Sequence, residues 1–374
     1  MATKEKRTQK FFNAYRKPLV SVPNLLETQI TSYEWLVKEG LKEVFKEFSP
    51  IKDYSEKKFE LEFASFSLGE QKNDEHHAKE NHVSYDIPLR AMVRLKNKVL
   101  NTVKEQEIFM ADFPMQTRHG TFIINGVERV IVPQLARSFG VFFSESETKG
   151  KKYFGAKIIP SRGAWIEFES ESDGALYIRI DRKRKFPATS LLRVLGLATD
   201  KEILHFFKGS PAETLIANTL EKDPAKTIEE SYIEIYKRLR DGDLATAENA
   251  RGYINSIFSS ERYDLSPVGR FRFNKRFNKP LDEKALTKRT LDKDDFWEII
   301  SNIASLNTTP GSLGDDIDHL GSRRVRYVGE MLQQKIRMGM AQMKRNIQDR
   351  MSTIDAETTL PIQIVNQRPL QARI

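Results

Sequence analysis

The sequence predicts an α+β fold with separate runs of strands and helices. Residues that alternate between apolar and polar side chains, the pattern of a half-buried strand, recur between residues 59 and 180. Apolar residues at helical spacing occupy residues 25–45, much of the chain after Pro187, and a long segment over residues 325–351. We therefore expect sheets in the first half of the chain and helices before and after them.

The first helix follows a basic arm. Residues 1–17 are rich in lysine and arginine. The arm is therefore either an unstructured terminus or a segment that binds phosphate groups. From Pro23 apolar residues recur at helical spacing as far as Phe45. Pro50 ends the pattern, because the residue before a proline disfavours the helical conformation.

Two strands follow, with a polar segment between them. Alternation over residues 59–65 and again over 89–95 predicts the strands. The segment between them holds His76, His77 and His82, which are potential metal ligands. Because the segment is polar throughout, it offers no apolar shell to hold ligands in place, and a solvated loop is favoured over a metal site.

Residues 121–143 carry the clearest local signal in the chain. They read TFIINGVERVIVPQLARSFGVFF, in which two short runs of apolar, β-branched residues, 121–124 and 130–132, flank Asn125-Gly126. This dipeptide accepts the positive φ angles of a tight turn and is the strongest short-range hairpin signal. We predict two strands, joined by this turn, that deliver arginines to one edge. The alternative is an ordinary hairpin with solvated arginines.

Further strands are predicted over residues 156–159, 165–168 and 176–180. Residues 181–185 then read DRKRK, which places four cations directly after a strand end. A charge run of this kind is either solvated or a contact for nucleic acid. The nearby Trp165 keeps the second interpretation open.

The chain after Pro187 is predicted to be mainly helical. Helices are expected from the capping boxes Thr199-x-x-Glu202 and Thr227-x-x-Glu230, from Asn249 and from Asp292. Residues 263–273, rich in arginine and turn residues, are predicted to form a connector. Ser322 is expected to cap the long final helix, and the tail after Ser352 is expected to be extended.

The composition favours a protein that binds polyanions in a reducing compartment. The chain has a net charge of +9 and no cysteine, which excludes disulfides, thiol catalysis and the usual structural zinc sites. The sequence contains no recognisable signal peptide, membrane span or lipid anchor. It predicts a cytoplasmic protein for which nucleic acid is a more natural partner than a membrane.

One carboxylate cluster invites an enzymatic hypothesis. Asp315, Asp316 and Asp318 could converge on Mg²⁺ in a phosphoryl-transfer site, but Arg323 and Arg324 follow closely and would compete for them. Ion pairing or stabilisation of a helix N-terminus is favoured, while base or ligand recognition and metal catalysis stay open. The sequence has neither a phosphate-cradling GxxxxGK[ST] nor a GxSxG motif. The residues by themselves indicate a binding surface without an active site.

Five stretches of the chain are specific enough to indicate a family. In chain order they read TFIINGVERVIVPQLARSFGVFF, IIPSRGAWIEFE, IRIDRKRKFPAT, ERYDLSPVGRFRFN and DDIDHLGSRRVRYVGE. Together, and in this order, they closely resemble the bacterial RNA polymerase β subunit. The likeness extends from PNLLETQITSYEWL to the final residues. It concerns the N-terminal part of that subunit, the protrusion and lobe domains.

The resemblance implies two mixed α+β domains, a discontinuous protrusion with a lobe domain inserted in it. Residues 1–17 would be a basic N-terminal arm, residues 18–126 the first part of the protrusion, and residues 127–326 the lobe. Residues 327–374 would return to the protrusion as a helix and tail. In the family these domains form one jaw of the DNA cleft and hold non-template and downstream DNA.

The resemblance also implies DNA contacts for individual residues. Trp165 would stack on one base, and Arg137, Asp318 and Arg323 would surround a flipped guanine. Arg182, in the basic run, is a further expected contact. The residues that match the family's pocket for start-site non-template bases are Arg137, Trp165, Asp181, Asp318, Arg323 and Arg345. Those that match its contacts to the discriminator strand are Arg240 and Arg262.

Two other sets of residues match functional positions of the family. Val132 and Gln134 match positions at the rim of the rifamycin pocket. Val103, Lys104 and Glu105 fall where the transcription-repair coupling factor docks, and the valine is a mild departure from the family pattern.

The implied function is the DNA-holding and factor-docking part of DNA-directed RNA polymerase, a nucleotidyltransferase. The implied partners are DNA, the α, β′ and ω subunits, sigma factor and the transcription-repair coupling factor, in the cytoplasm at the nucleoid. The family's catalytic Mg²⁺ is held by aspartates of β′, so we expect no catalytic residue, metal or cofactor in this chain. One alternative is a stand-alone basic nucleic-acid-processing enzyme with a metal at Asp315, Asp316 and Asp318. Another is a pure protein-interaction scaffold.

Overall fold

The computed structural model describes residues 23–148, 150–240, 242, 245–354 and 359–374. The expected basic arm, residues 1–17, lies outside the described residues, as do residues 18–22. The chain divides into two compact units. The discontinuous unit comprises the chain up to Gln134 together with Arg326–Ile374, and the inserted unit is Leu135–Val325. These divisions were predicted to follow residues 126 and 326. Both units mix helices with antiparallel sheets, so the α+β class is confirmed.

The discontinuous unit contains a four-stranded antiparallel sheet. Its strands pair in chain order and are Ile51–Lys52, Phe59–Leu68, Asp86–Asn97 and Thr102–Pro114. Alternate residues such as Leu61 and Val93 are buried on one face. The other face carries charged rungs, in which Arg94 lies between Glu62 and Glu105. The alternation that predicted these strands therefore reflects a sheet with one solvated face.

Helices cover the apolar face of this sheet. The first helical segment runs through Glu27–Trp35, a π-helical turn at Leu36–Gly40, and Leu41–Glu47. The long helix is Val328–Thr353, and shorter helices are Pro361–Ile364 and Arg368–Gln371. The helix Glu75–Glu80 packs separately, in a small cluster with Ile123. The predicted apolar stripe of the long helix, with Ile336, Met340 and Met343, is buried in the same core as the sheet. That stripe is packing, as its spacing predicted.

The long helix approaches the first helix closely at Gly329. A Cβ atom at this position would lie 2.0 Å from the backbone oxygen of Ser32, so only glycine fits without a shift. The Gly329 N–H donates to Ser32 Oγ over 3.1 Å, although the two residues are 297 positions apart. Gln333 likewise donates to the backbone oxygen of Gly40 over 3.0 Å. The two chain segments of this unit therefore share one core.

The turn in residues 121–143 is confirmed, but the hairpin is shorter than predicted. Asn125 and Gly126 have φ angles of 51° and 78°, as a tight two-residue turn requires. Such a turn pairs the residues directly beside it, so Phe122–Ile124 pairs with Val127–Arg129. The expected strand at 130–132 is wrong, because residues 130–133 are irregular and mostly exposed.

The inserted unit contains a five-stranded antiparallel sheet. Its strands are adjacent in chain order and are Gly140–Thr148, Lys151–Ile159, Ile166–Ser170, Leu176–Ile180 and Phe186–Pro187. A separate two-stranded pair joins Gln134–Arg137 to Arg323–Arg326, where the chain passes between the units. Apolar residues of one sheet face pack on helices, as when the rings of Phe168 and Phe296 lie 5.9 Å apart.

The helices of the inserted unit follow its sheet. They are Ala188–Val194, Asp200–Phe206, Glu213–Lys222, Ile228–Leu239, Ala247–Phe258, Ser266–Arg276, Glu283–Leu286, Lys293–Thr308 and a 3₁₀ turn at Leu320–Ser322. Thr199, Thr227 and Asp292 are N-caps whose side chains accept a backbone N–H from the first turn, as predicted. In the described part of both units, no helix is long and apolar enough to cross a membrane.

Two segments expected to be irregular are helices. The polar segment with His76 and His77 was predicted to be a loop, but Glu75–Glu80 is helical because Asp74 Oδ1 caps it, accepting the His77 N–H over 2.7 Å. The predicted connector at 263–273 is also wrong, since Ser266–Arg276 forms a helix with a proline in its first turn.

The entry to the long helix and the tail also differ from expectation. Ser322 does not cap the helix, because Arg323–Arg326 is paired as a strand and the helix begins at Val328. Val325, expected on the buried stripe, is therefore an exposed strand residue. The tail, predicted to be extended, contains two short helices, and its Leu370 is fully buried.

Candidate nucleic-acid interface

A cleft in the inserted unit brings together four of the residues assigned to DNA by resemblance, namely Arg137, Trp165, Arg182 and Arg323. The cleft, called here the Trp165 cleft, encloses about 590 Å³. This volume lies within the range of about 300–1,000 Å³ that is typical of ligand pockets. The other residues that line it are Leu135, Ala136, Lys157 and Glu167.

A tight turn fixes Trp165 and places Arg182 over it. The Trp165 N–H donates to Asp181 Oδ1 and the Asp181 N–H donates to the Trp165 backbone oxygen, both over 2.9 Å. Asp181 and Arg182 have φ angles of 50° and 60°, and the Lys183 N–H closes the turn on the Ile180 oxygen at 3.0 Å. The turn carries the Arg182 guanidinium to 5.5 Å from the centre of the indole ring. Asp181 therefore holds the backbone of Trp165 in place and does not itself line the cleft.

Arg137 and Arg323 enter the cleft from the two-stranded pair. Within the described residues, the half-buried Arg137 guanidinium donates no hydrogen bond and joins no ion pair. Arg323 pairs with the carboxylate of Asp318, whose side chain is 75% exposed. Asp318 thus lies outside the cleft lining and meets it through Arg323.

The aspartate cluster is divided among separate structural roles. Asp315 accepts the Phe143 N–H over 2.8 Å and pairs with Arg276 over 2.7 Å, which ties this segment to the edge of the sheet. Asp316 accepts the Asp318 N–H over 3.0 Å and shapes a turn. Across the described ranges, no three His, Asp or Glu side chains converge to hold a metal ion. The hypothesis of a metal-dependent enzyme is not favoured.

Two charged cleft residues were not identified from the sequence, nor were the apolar lining residues Leu135 and Ala136. Lys157 and Glu167 are cross-strand neighbours, and Lys157 Nζ lies 3.2 Å from Glu167 Oε1. Glu167 is two residues after Trp165 on a predicted strand, so its position on the same face could have been predicted. The register that brings Lys157 opposite could not be read from the strand pattern.

The other expected DNA contacts lie outside the cleft lining. The Arg240 guanidinium lies 4.9 Å from the centre of the Tyr253 ring, and Arg262 donates to Ser256 Oγ over 3.2 Å. Arg345 is an exposed residue on the long helix of the discontinuous unit.

The residues assigned to factor docking lie on the sheet of the discontinuous unit. Val103 is 54% exposed. Lys104 donates to the Thr359 oxygen over 3.1 Å, and Glu105 accepts from Arg94 over 2.6 Å. Val103 and Glu105 are thus the exposed members of the set, and Glu105 is already paired with Arg94. Exposed as well are the two residues assigned to the rifamycin pocket, Val132 and Gln134.

Comparison with known proteins identifies the family. Residues 137–326, half of the chain, match the sequence model of RNA polymerase Rpb2, domain 2. The chain belongs to this family. It is 39% identical to the DNA-directed RNA polymerase subunit beta of Lysinibacillus sphaericus (strain C3-41), over 96% of this chain. It is 40% identical to the subunit of that name in Geobacillus thermodenitrificans (strain NG80-2), over 95% of this chain. The resemblance stated from the motifs is confirmed, and the chain spans 37% of the length of both relatives.

Proposed function

We propose that the inserted unit binds single-stranded DNA in the Trp165 cleft as part of a DNA-directed RNA polymerase. In this role the chain holds non-template and downstream DNA and reads non-template bases at the start site. The family and the names of the relatives support the setting. The observation that carries the proposal is the placement of an indole ring in one cleft with the guanidinium of Arg137, which is unpaired among the described residues.

The magnitudes favour a base as the ligand of Trp165. Stacking of a base on an aromatic side chain contributes about 1–3 kcal/mol. The Arg182 guanidinium over the ring contributes about 0.5–1 kcal/mol at an exposed site. Because Arg182 is exposed, an incoming base can displace it at small cost. The released guanidinium and that of Arg137 then donate to base acceptors or to phosphates.

The Asp318–Arg323 pair offers a second recognition element at the rim of the cleft. A carboxylate accepts from the N–H groups of guanine while a guanidinium donates to its acceptors. We propose the pair for a flipped guanine, with Arg240 and Arg262 as contacts further along the strand. The role of Arg345 stays a prediction of the resemblance.

The test is binding of a short labelled single strand to the full chain, followed by fluorescence anisotropy. Trp165→Ala is expected to weaken binding about 5- to 150-fold, the range that corresponds to the stacking energy. Trp35→Ala is the matched control, because Trp35 is an exposed tryptophan of the other unit, and it is expected to change affinity less than twofold. Affinity is also expected to fall steeply with salt. Equal effects of the two substitutions would refute the proposal.

We further propose that Val103, Lys104 and Glu105 dock the transcription-repair coupling factor, and that Val132 and Gln134 border the rifamycin pocket of the assembled enzyme. The α, β′ and ω subunits and sigma factor are the proposed assembly partners, at the nucleoid. The chemistry of RNA synthesis, with its Mg²⁺, belongs in this proposal to β′. The purified chain is therefore expected to polymerise nothing, and template-dependent RNA synthesis by it would contradict the assignment.

A further inference from the structure

The Trp165 cleft holds a single carboxylate among its lining residues. We propose that this group, Glu167, makes the cleft select a nucleobase over a phosphate group. The inference rests on the proposed function and adds a specificity-determining residue to it.

Without Glu167 the cleft would be a phosphate site. The cations that line it are Arg137, Lys157, Arg182 and Arg323. Clustered lysines and arginines bind the nucleic-acid backbone irrespective of base, and most protein–DNA hydrogen bonds go to phosphate and sugar. A strand that placed a phosphate beside Trp165 would leave the indole ring without a base to stack on.

The position of Glu167 opposes that outcome. It lies on the strand Ile166–Ser170, two residues after Trp165, and so faces the same side of the sheet. The residue is only 8% exposed, so water and salt screen its charge poorly. Lys157 Nζ, 3.2 Å away, is already engaged by the carboxylate. A phosphate oxygen near this pair would meet a fixed negative charge and a cation that is partly neutralised.

A base meets the same pair favourably. The Watson–Crick edge of each base carries at least one N–H donor from which a carboxylate can accept, and a ring nitrogen or carbonyl oxygen to which an ammonium group can donate. Lys157 is the ion-pair partner of Glu167 within the described chain and lies nearest to Oε1, so Oε2 can accept from a base. The floor of the cleft therefore attracts a base and repels a phosphate, while the stacking ring stands beside it.

The test compares two single strands of equal length, one intact and one abasic at every position, so that both carry the same phosphates. The Kd of the abasic strand divided by the Kd of the intact strand measures the preference for bases. Glu167→Gln is expected to lower this ratio at least fivefold, chiefly through tighter binding of the abasic strand. Glu169→Gln is the matched control. Glu169 lies on the same strand and face and pairs with Arg179 at 2.9 Å, but it does not line the cleft.

Both substitutions remove one negative charge, so general electrostatic effects cancel between them. An unchanged ratio in Glu167→Gln, or an equal change in Glu169→Gln, would overturn the inference. Inorganic pyrophosphate supplies a measurement on the wild-type chain: it is expected to compete poorly with the intact strand, and efficient competition would overturn the inference whatever the variants show. If Trp165→Ala weakens binding while Glu167→Gln leaves the ratio unchanged, the proposed function stands and this inference fails. If wild type binds no strand, or Trp165→Ala has no effect, both fail.

Discussion

Replacing Arg270 with methionine tests how the helix Ser266–Arg276 is held in the inserted unit. Arg270 and Asp295 are each 1% exposed. Their side chains form a two-pronged ion pair, with nitrogen–oxygen distances of 3.0 and 3.1 Å. The guanidinium also donates to the backbone oxygens of Lys288, over 2.7 Å, and Thr290, over 2.6 Å. Methionine removes all of these bonds and leaves the carboxylate buried.

Breaking a buried ion pair from one side costs about 3–5 kcal/mol, because the remaining charge is uncompensated. Lys288 Nζ stays 3.1 Å from Asp295 Oδ2, which favours the lower end, about 3 kcal/mol. In a domain of this size 1 kcal/mol shifts Tm by about 2–4 °C. The expected loss for Arg270→Met is therefore about 6–12 °C. Lys275→Met, which removes an exposed cation from the same helix, is expected to change stability by no more than about 0.5 kcal/mol.

The assay is thermal unfolding followed by tryptophan fluorescence in a Trp35→Phe background. The chain has three tryptophans, and this substitution leaves Trp165 and Trp297, which both report on the inserted unit. The double variant Arg270→Met/Asp295→Leu is expected to recover part of the loss, because no unpaired charge stays buried. A loss below about 2 °C for Arg270→Met, or an equal loss for the lysine control, would refute the reasoning.

Three further outcomes are expected. Gly329→Ala should lower the stability of the discontinuous unit by about 1–3 kcal/mol, since the new Cβ would lie 2.0 Å from the Ser32 oxygen; an unchanged Tm would show that the helices can separate freely. Burial acts to raise the pKa of the Asp53 carboxyl, but hydrogen bonds from Ser55 and nearby backbone N–H groups outweigh it and hold the pKa below its usual value. Asp53→Asn should therefore destabilise the chain by about 1–3 kcal/mol at pH 7. In urea titrations, the difference in free energy of unfolding between variant and wild type should shrink as the pH falls below about 4. A difference that is constant with pH would count against a stabilising role of the ionised carboxylate. In the proposed docking role, Val103→Glu should abolish capture of the transcription-repair coupling factor with Tm unchanged, and normal capture would contradict that role.

Local chemistry explains which elements were predicted correctly. The Asn125-Gly126 turn, the Thr227 capping box and the stripe of the long helix each depend on residues close together in the chain. The sheet of the discontinuous unit was predictable because one face is exposed to solvent and the other is buried. The helix Ser266–Arg276 was missed for the opposite reason. Arginine normally indicates exposure, but Arg270 is neutralised in the core by a partner far along the chain.

The candidate site was predictable in part. Trp165 and the basic run of residues 181–185 drew attention through their residue types. They lie close together because the strand that follows Trp165 pairs antiparallel with the strand that precedes the basic run. Arg137 and Arg323 are brought together by pairing of distant strands, which no local pattern encodes; the family resemblance supplied that grouping. Glu167 escaped notice because a glutamate on a strand face usually indicates solvent.

The contact between Ser32 and Gly329 has a consequence for biosynthesis. A ribosome completes the sheet of the discontinuous unit first and must then make the whole inserted unit before the helix Val328–Thr353 exists. At about 5–20 residues per second, the 191 residues of Leu135–Val325 take roughly 10–40 s to synthesise. Throughout this interval the nascent sheet has its apolar face, with Val93 and Ile108, uncovered by its partner helix. The unit that begins first at the ribosome is thus completed only after the inserted unit, when the helix Val328–Thr353 becomes available to its core.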